Sequence, residues 1–230
     1  MRIGIIGAGM IGGTLARRLA QLGHEVAIAN SRGPATLTAL ASELGARAVT
    51  AADAARSGEI VVVTIPQKAV KDLPANLFAD VPREVVVIDT GNYYPARDGS
   101  IPAVEQGQPE SAWVADRIGR PVIKAFNNIF FKSLLEKGTP RGSEGRVAIP
   151  VAGDAAEAKT TVMRLIDELG FDAVDAGGLA ESWRQQPGTP CYTGDFTATE
   201  LKRALASAER SRVPEYRKAA DDAARAYWGG

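Results

Sequence analysis

A doubly wound α/β fold, with a mostly parallel sheet, helices on both faces and a short helical C-terminal extension, is what this sequence predicts. Three observations carry the expectation. Residues 1–6, Met-Arg-Ile-Gly-Ile-Ile, read as a short buried strand that runs into Gly7-Ala8-Gly9-Met10-Ile11-Gly12 and then into an amphipathic helix. Short apolar runs alternate with helical patterns from there to about residue 175. The runs at 59–64 and 84–89 are apolar almost throughout, as parallel strands covered on both faces require.

The glycine spacing has a physical purpose where it joins a strand to a helix. Gly7 permits the tight turn, Gly9 lets a pyrophosphate approach the backbone, and Gly12 lets the helix pack close to the strand. The free N–H groups and positive dipole end of the helix then hold the phosphates. The bland alternative is a glycine-rich turn without a ligand. The flanking apolar strand and the helical spacing of Ile11, Leu15, Leu19 and Leu22 argue against it.

Bulk properties narrow the field. Lys plus Arg and Asp plus Glu both total 27, so the formal net charge is zero, which disfavours nucleic acid or an anionic membrane as the main partner. No apolar run is long enough to cross a bilayer. The chain opens directly on strand residues, so no signal or transit peptide is expected and a cytoplasmic location follows. One cysteine, Cys191, makes neither an internal disulfide nor a metal site. With 230 residues and no sharp shift in composition, the expectation is a single dinucleotide-binding Rossmann domain over 1–230, with the helical extension at about 197–230.

The elements follow in order. Gly23-His24 turn the chain into a second strand at 25–29, whose end decides the coenzyme. NAD-specific folds place an acid there to bind both ribose hydroxyls. This chain has Asn30-Ser31-Arg32, and a hydroxyl beside a guanidinium suits a 2′-phosphate, hence NADPH. A helix at 34–44, a short strand at 47–49 and a short helix at 51–56 precede the strand at 59–64. Handedness of the crossover puts this strand on the far side of the first, so Thr64-Ile65-Pro66 should lie along the coenzyme, although Pro66 alone could simply end the strand. A weak helix at 68–79, a fifth strand at 84–89, a polar loop at 98–108, a helix at 111–118 and a sixth strand at 121–126 come next. Residues 136–145 read as a flexible stretch, 146–152 and 173–175 as strands, and the helix between them as capped by Asp154. Residues 185–195 read as irregular and 197–227 as two helices broken near Pro214.

Ligands in such sheets bind beyond the carboxyl ends of the strands. His24, the sole histidine, falls at the opposite edge and reads as a solvated turn residue, so the usual acid/base of a metal-free alcohol dehydrogenase is missing. The correct edge holds Thr64, Asp89, Asn92, Tyr93, Tyr94, Lys124, Asn127 and Asn128. Lys124 could donate a proton or pair with an acid, and Asp89 could accept one or cap a loop. The tyrosines could stack on a ring or merely wall the cleft. No nucleophile–base pair appears, so direct hydride transfer between two positioned rings fits best.

Several segments together resemble the coenzyme F420-dependent NADP oxidoreductase family: the glycine segment 1–12, residues 22–26, Asn30-Ser31-Arg32, Thr64-Ile65-Pro66, residues 124–129, residues 151–154 and residues 175–179. The matches run in order across roughly residues 1–190. The resemblance implies NADP(H) as coenzyme and hydride transfer to coenzyme F420, a deazaflavin, or to a flavin as second substrate. It also implies a small-molecule hydride acceptor and a homodimer. Carried over by position, Gly7, Gly9, Met10, Ile11 and Gly12 would hold the pyrophosphate, and Asn30, Ser31 and Arg32 the 2′-phosphate end. Thr64, Ile65, Pro66, Gly91, Asn92 and Ala125 would touch the coenzyme, with Asn127, Asn128 and Ile129 lining the acceptor pocket. Asn127 stands where a family histidine is expected, which leaves the acceptor open. A reductase of an imine or 3-hydroxy acid is one alternative, although 197–227 is short for its helical substrate domain; a non-enzymatic NADPH-binding sensor is the other.

Overall fold

The computed structural model describes residues 1–228. Its sheet has six parallel strands: β1 (Arg2–Ile6), β2 (Glu25–Ala29), β3 (Arg47–Ala48), β4 (Ile60–Val63), β5 (Val86–Asp89) and β6 (Ile123–Lys124), in the order β3-β2-β1-β4-β5-β6. The chain leaves β1 towards one edge and returns beyond it as β4, with Ile5 opposite Ile28 on one side and Val62 on the other. A crevice therefore opens at the carboxyl ends of β1 and β4, the switch point where doubly wound sheets take their ligands.

Helices cover both faces because strand residues alternate. Ile3, Ile5, Ile60 and Val62 face one core with Leu15 and Leu19 of α1 (Met10–Gln21), Ala41 and Leu44 of α2 (Thr38–Leu44), and Val162 and Leu165 from later in the chain. Ile6, Val61 and Val63 face the other core with Ala54 and Ala55 of α3 (Ala51–Arg56) and Val70 of a 3-10 helix, Gln67–Asp72. Each large aliphatic side chain so buried contributes about 1.5–3 kcal/mol.

After β5 come α4 (Pro95–Asp98), α5 (Pro102–Glu105) and α6 (Glu110–Ile118); after β6 comes α7 (Phe131–Glu136). Then β7 (Ala148–Val151), α8 (Ala156–Glu168) and β8 (Asp172–Asp175) form a small parallel pair. This pair joins the main sheet by an antiparallel step: the Lys124 N–H donates to the Ala152 carbonyl at 2.8 Å, and the Ala152 N–H returns a bond at 3.0 Å. A 3-10 helix, Leu179–Gln185, leads to α9 (Ala198–Ser207) and α10 (Val213–Trp228). Thr197 and Glu200 start α9 with a reciprocal capping box, and Leu201 and Leu205 pack on Val174 and Cys191. Residues 229 and 230 of the expected extension lie outside the described residues. Among the described residues no helix is long and apolar enough to cross a membrane.

Several expectations need correction. The stretch 98–108 is not all loop: it contains α5, and α4 ends at its first residue; each of these short helices has proline at its first position, where the missing N–H costs nothing. Helix α7 was not expected at all, and its six residues are too few to show a period. The sixth strand is two residues long because Phe126 takes a left-handed φ of 61° and turns the chain away. Asp154 does not cap α8; its carboxylate accepts from the Leu179 N–H at 2.9 Å and ties the two segments together. The break before α10 is the turn at Arg210–Arg212, and Pro214 sits inside the first turn of α10. His24 is not solvated. Its ring is nine-tenths covered, held by the N-terminal ammonium at 3.2 Å and Glu168 at 3.1 Å.

Candidate functional site

The phosphate end is built by steric exclusion at two glycines and by open space at a third. A Cβ at Gly7 would stand 2.1 Å from the Thr64 carbonyl oxygen, and one at Gly12 would stand 2.0 Å from the Gly7 carbonyl oxygen. Only glycine lets strand, turn and helix come this close, and Gly7 also needs its φ of 119°. A Cβ at Gly9, by contrast, would meet nothing within 4 Å. Gly9 is the N-cap of α1 with no side-chain cap, and no acid lies in the first turn. The leading N–H groups of α1, which have no intrahelical acceptor, therefore face an open cradle that suits a pyrophosphate. Met10 is exposed beside it and Ile11 half-buried.

At the end of β2 the side chain of Asn30 shapes the loop instead of reaching outward. It accepts from the Arg32 N–H at 3.0 Å and donates to the Thr36 hydroxyl at 3.0 Å. This Asx-type turn leaves the side chains of Ser31 and Arg32 exposed on the outer rim.

Across the crevice Thr64 closes on Gly7 and Gly12, with Ile65 half-buried and Pro66 exposed at the lip. Beneath the ends of β5 and β6 lies a buried cluster of charge. The Lys124 ammonium, fully buried, sits 3.4 Å from Asp89 Oδ2 and donates a short bond to the Gly91 carbonyl. Asp89 also accepts from the Ser111 hydroxyl at 2.6 Å and the Gly91 N–H at 2.9 Å. Glu110, buried beside them, accepts from the Tyr93 N–H at 3.1 Å. Burial pushes the Glu110 carboxyl up to about 7, even though Lys124 pulls it back down.

A buried acid with its folded value raised from 4.5 to about 7 stabilises the fold while protonated. That contribution is complete below about pH 4.5 and is lost as pH rises through about 7. It is worth about 3 kcal/mol. Glu110→Gln should therefore be more stable than the parent at pH 8 by up to that amount and show little gain at pH 4.5. Urea denaturation at the two pH values checks this; an equal difference at both would remove Glu110 as the titrating group.

The ring end is a polar lattice. The Asn127 amide donates to Asn92 Oδ1 at 3.0 Å and to the Gln185 carbonyl at 2.6 Å, and its oxygen accepts from Gln185 Nε2 at 3.0 Å. Asn92 Nδ2 donates to the Asn127 carbonyl at 2.9 Å and to the Tyr192 hydroxyl at 3.3 Å. The Tyr192 and Tyr94 hydroxyls share a short bond, and the Arg97 guanidinium lies 5.2 Å from the centroid of the Tyr94 ring. Burial raises both phenols, and each stays protonated through the neutral range.

The structure thus joins Asn92 to Asn127, as their shared sheet edge implied. Residues 127–129, expected to line the acceptor pocket, are covered in this structure. Asn127, Asn128 and Ile129 are all at least nine-tenths buried, and the Asn127 side chain is fully engaged within the protein. Ala125 and Gly91 are buried as well, and their part is to hold the strand ends through the Ala125 N–H on Asp89 and the Gly91 bonds above. Tyr93 faces backwards into the core, its hydroxyl on Glu105 at 2.6 Å, so it cannot stack on a ligand ring. Glu110, Ser111, Gln185 and Tyr192 belong to the site and were not anticipated. No period or motif marks them; their partners lie 17 to 98 residues away.

Residues 2–93, from β1 to just beyond β5, match the family described as NADP oxidoreductase, coenzyme F420-dependent. Over 79 residues the chain is 47% identical to protein YjhV of Escherichia coli (strain K12), covering 33% of this chain and 58% of that one; the chain thus spans little more than half the length of this curated relative. A crystal structure of the hypothetical protein SMa0349 from Sinorhizobium meliloti shares the fold with a TM-score of 0.72 and 29% identity, over 86% of this chain and 96% of that one. A candidate F420-dependent NADP reductase from Arthrobacter sp. FB24 aligns with a TM-score of 0.65 and 25% identity, over 79% of this chain and 87% of its own. Over residues 2–93 the chain thus resembles the coenzyme F420-dependent NADP oxidoreductases, and it shares its fold with the Arthrobacter protein.

Proposed function

We propose that the protein is an NADPH-dependent oxidoreductase that passes hydride directly between the nicotinamide and a deazaflavin or flavin-like acceptor. The observation that carries the reading is the division of labour around one crevice. An open glycine cradle lies at the head of α1, an exposed hydroxyl and guanidinium stand at the end of β2, and a buried polar lattice lies under the ends of β5 and β6. Bound NADPH supplies the hydride. The α1 N–H groups hold its pyrophosphate, Ser31 and Arg32 its 2′-phosphate, and Thr64 to Pro66 flank the chain of the coenzyme between them. The lattice of Asn92, Asn127 and Gln185 keeps the floor rigid, which positions two rings without taking up a proton.

Arg32→Ala should weaken NADPH binding by roughly tenfold to a hundredfold, the worth of a charge-assisted contact of about 1.5–3 kcal/mol, and leave NADH nearly unchanged. Titrating both coenzymes against parent and variant checks the assignment; an equal loss for both would show that Arg32 does not read the phosphate. The acceptor is tested by following NADPH oxidation with coenzyme F420, flavins, quinones and imines. Turnover confined to imines or ketones would favour the second reading, a reductase of an imine or hydroxy acid. The half-buried Tyr94–Tyr192 hydroxyl pair supports that reading, because such a reaction needs a proton donor.

A further inference from the structure

A cavity of about 400 Å³ lies beside the coenzyme crevice, between the 3-10 helix Gln67–Asp72, the segment after α4 and the outer face of α6. Its floor is apolar: Ile101, Pro102 and the ring of Trp113, which is itself 6% exposed. Its rim is cationic. Lys68 and Lys71 are three residues apart in a 3-10 helix, whose repeat of three residues per turn sets both on one side. Arg117 completes the rim from α6, its guanidinium 5.2 Å from the centroid of the Trp113 ring.

The positive charge of this rim is uncompensated. Among the described residues, no carboxylate pairs with Lys68, Lys71 or Arg117. The sole acid in the lining, Asp98, offers no compensation. Its side chain is fully covered and occupied by the Arg97 guanidinium at 2.8 Å, the Tyr94 N–H at 3.0 Å and the Lys68 N–H at 3.3 Å. Three cations held together over an apolar floor repel one another unless an anion joins them.

We propose that this cavity is a binding site for a small organic anion with an apolar body, such as an aromatic carboxylate. The acidic group is held by Lys68, Lys71 and Arg117, and the body lies on Trp113 and Pro102. The site goes beyond the hydride-transfer reading and stands whether or not that reading does. Its position still links it to the crevice, because Lys68 is two residues past Pro66 and Asp98 is tied to the segment that leaves β5.

Isothermal titration of the full chain with naphthalene-2-carboxylate, with naphthalene-2-methanol as its uncharged counterpart, tests the site. Saturable binding of the carboxylate, at least tenfold tighter than the alcohol, is expected. The double variant Lys71→Gln/Arg117→Gln, whose changes lie at exposed positions, should lose at least tenfold and melt as the parent does. Equal binding of acid and alcohol, or by parent and variant, would overturn the proposal. So would inorganic phosphate that competes as well as the carboxylate, since the floor would then play no part. A repeat with saturating NADPH separates this site from the coenzyme's: unchanged stoichiometry is expected, and competitive displacement would assign the cavity to the crevice and end the proposal.

Discussion

Lys124→Met should cost about 3–5 kcal/mol of folding free energy, the penalty for removing one partner from a buried ion pair. The ammonium is fully buried beside Asp89, whose own side chain is 2% exposed. Without it the Asp89 carboxylate keeps only the Ser111 hydroxyl and the Gly91 N–H, and the Gly91 carbonyl loses its donor. The loss should grow above pH 7, where Glu110 adds a second uncompensated charge to the same pocket. Denaturant unfolding at pH 5.5 and 8 measures both effects. Adding Asp89→Asn should restore at least half of the loss, because it removes the stranded charge. A single-variant loss below about 1 kcal/mol would mean that water reaches Asp89, and the cluster would then not be a dry one.

Gly12→Ala should abolish useful coenzyme affinity while Gly13→Ala leaves it intact. The added methyl at Gly12 would overlap the Gly7 carbonyl oxygen at 2.0 Å and approach Thr64 Cγ2 to 2.8 Å, both of which line the crevice. Helix α1 must retreat from β1, at a cost of about 1–3 kcal/mol for overpacking, and its N–H groups move away from the cradle. With two charge-assisted bonds of about 1.5–3 kcal/mol each lost, NADPH should bind at least about a hundredfold more weakly. At Gly13 a Cβ meets nothing within 4 Å. There alanine should stabilise the helix by up to about 1 kcal/mol. Calorimetric titration of both variants makes the comparison. Equal affinity for the two would show that the close approach of turn and helix does not shape the phosphate site.

The parts legible in the sequence were those whose causes are local. Strands β1, β4 and β5 announce themselves as apolar runs, and the Gly7-to-Gly12 spacing states its own geometry, since Gly12 answers to Gly7 itself and Gly7 to the end of the neighbouring strand. The ring end was only half legible. Strand order brings Asn92 and Asn127 to one edge, and periodicity suffices to find that order. What the edge becomes depends on Gln185 and Tyr192, which arrive from an irregular segment and bond to residues 58 and 98 positions earlier. No pattern in 185–195 signals those partners. The same distance hid which acid Lys124 would meet: the sequence allowed it an acidic partner and allowed Asp89 a capping role, but did not match the two. They are one ion pair across 35 residues, formed because β6 lies beside β5. His24 was misread for a related reason: Glu168, its partner, is 144 residues away.

Without the antiparallel step to Ala152, the main sheet would end at Lys124, with both of its backbone groups unpaired on that side. Such an edge invites a neighbouring chain to add a strand. Ala152 takes both the N–H and the carbonyl of Lys124 instead, so the small β7–β8 pair closes the border that β6 would otherwise leave open.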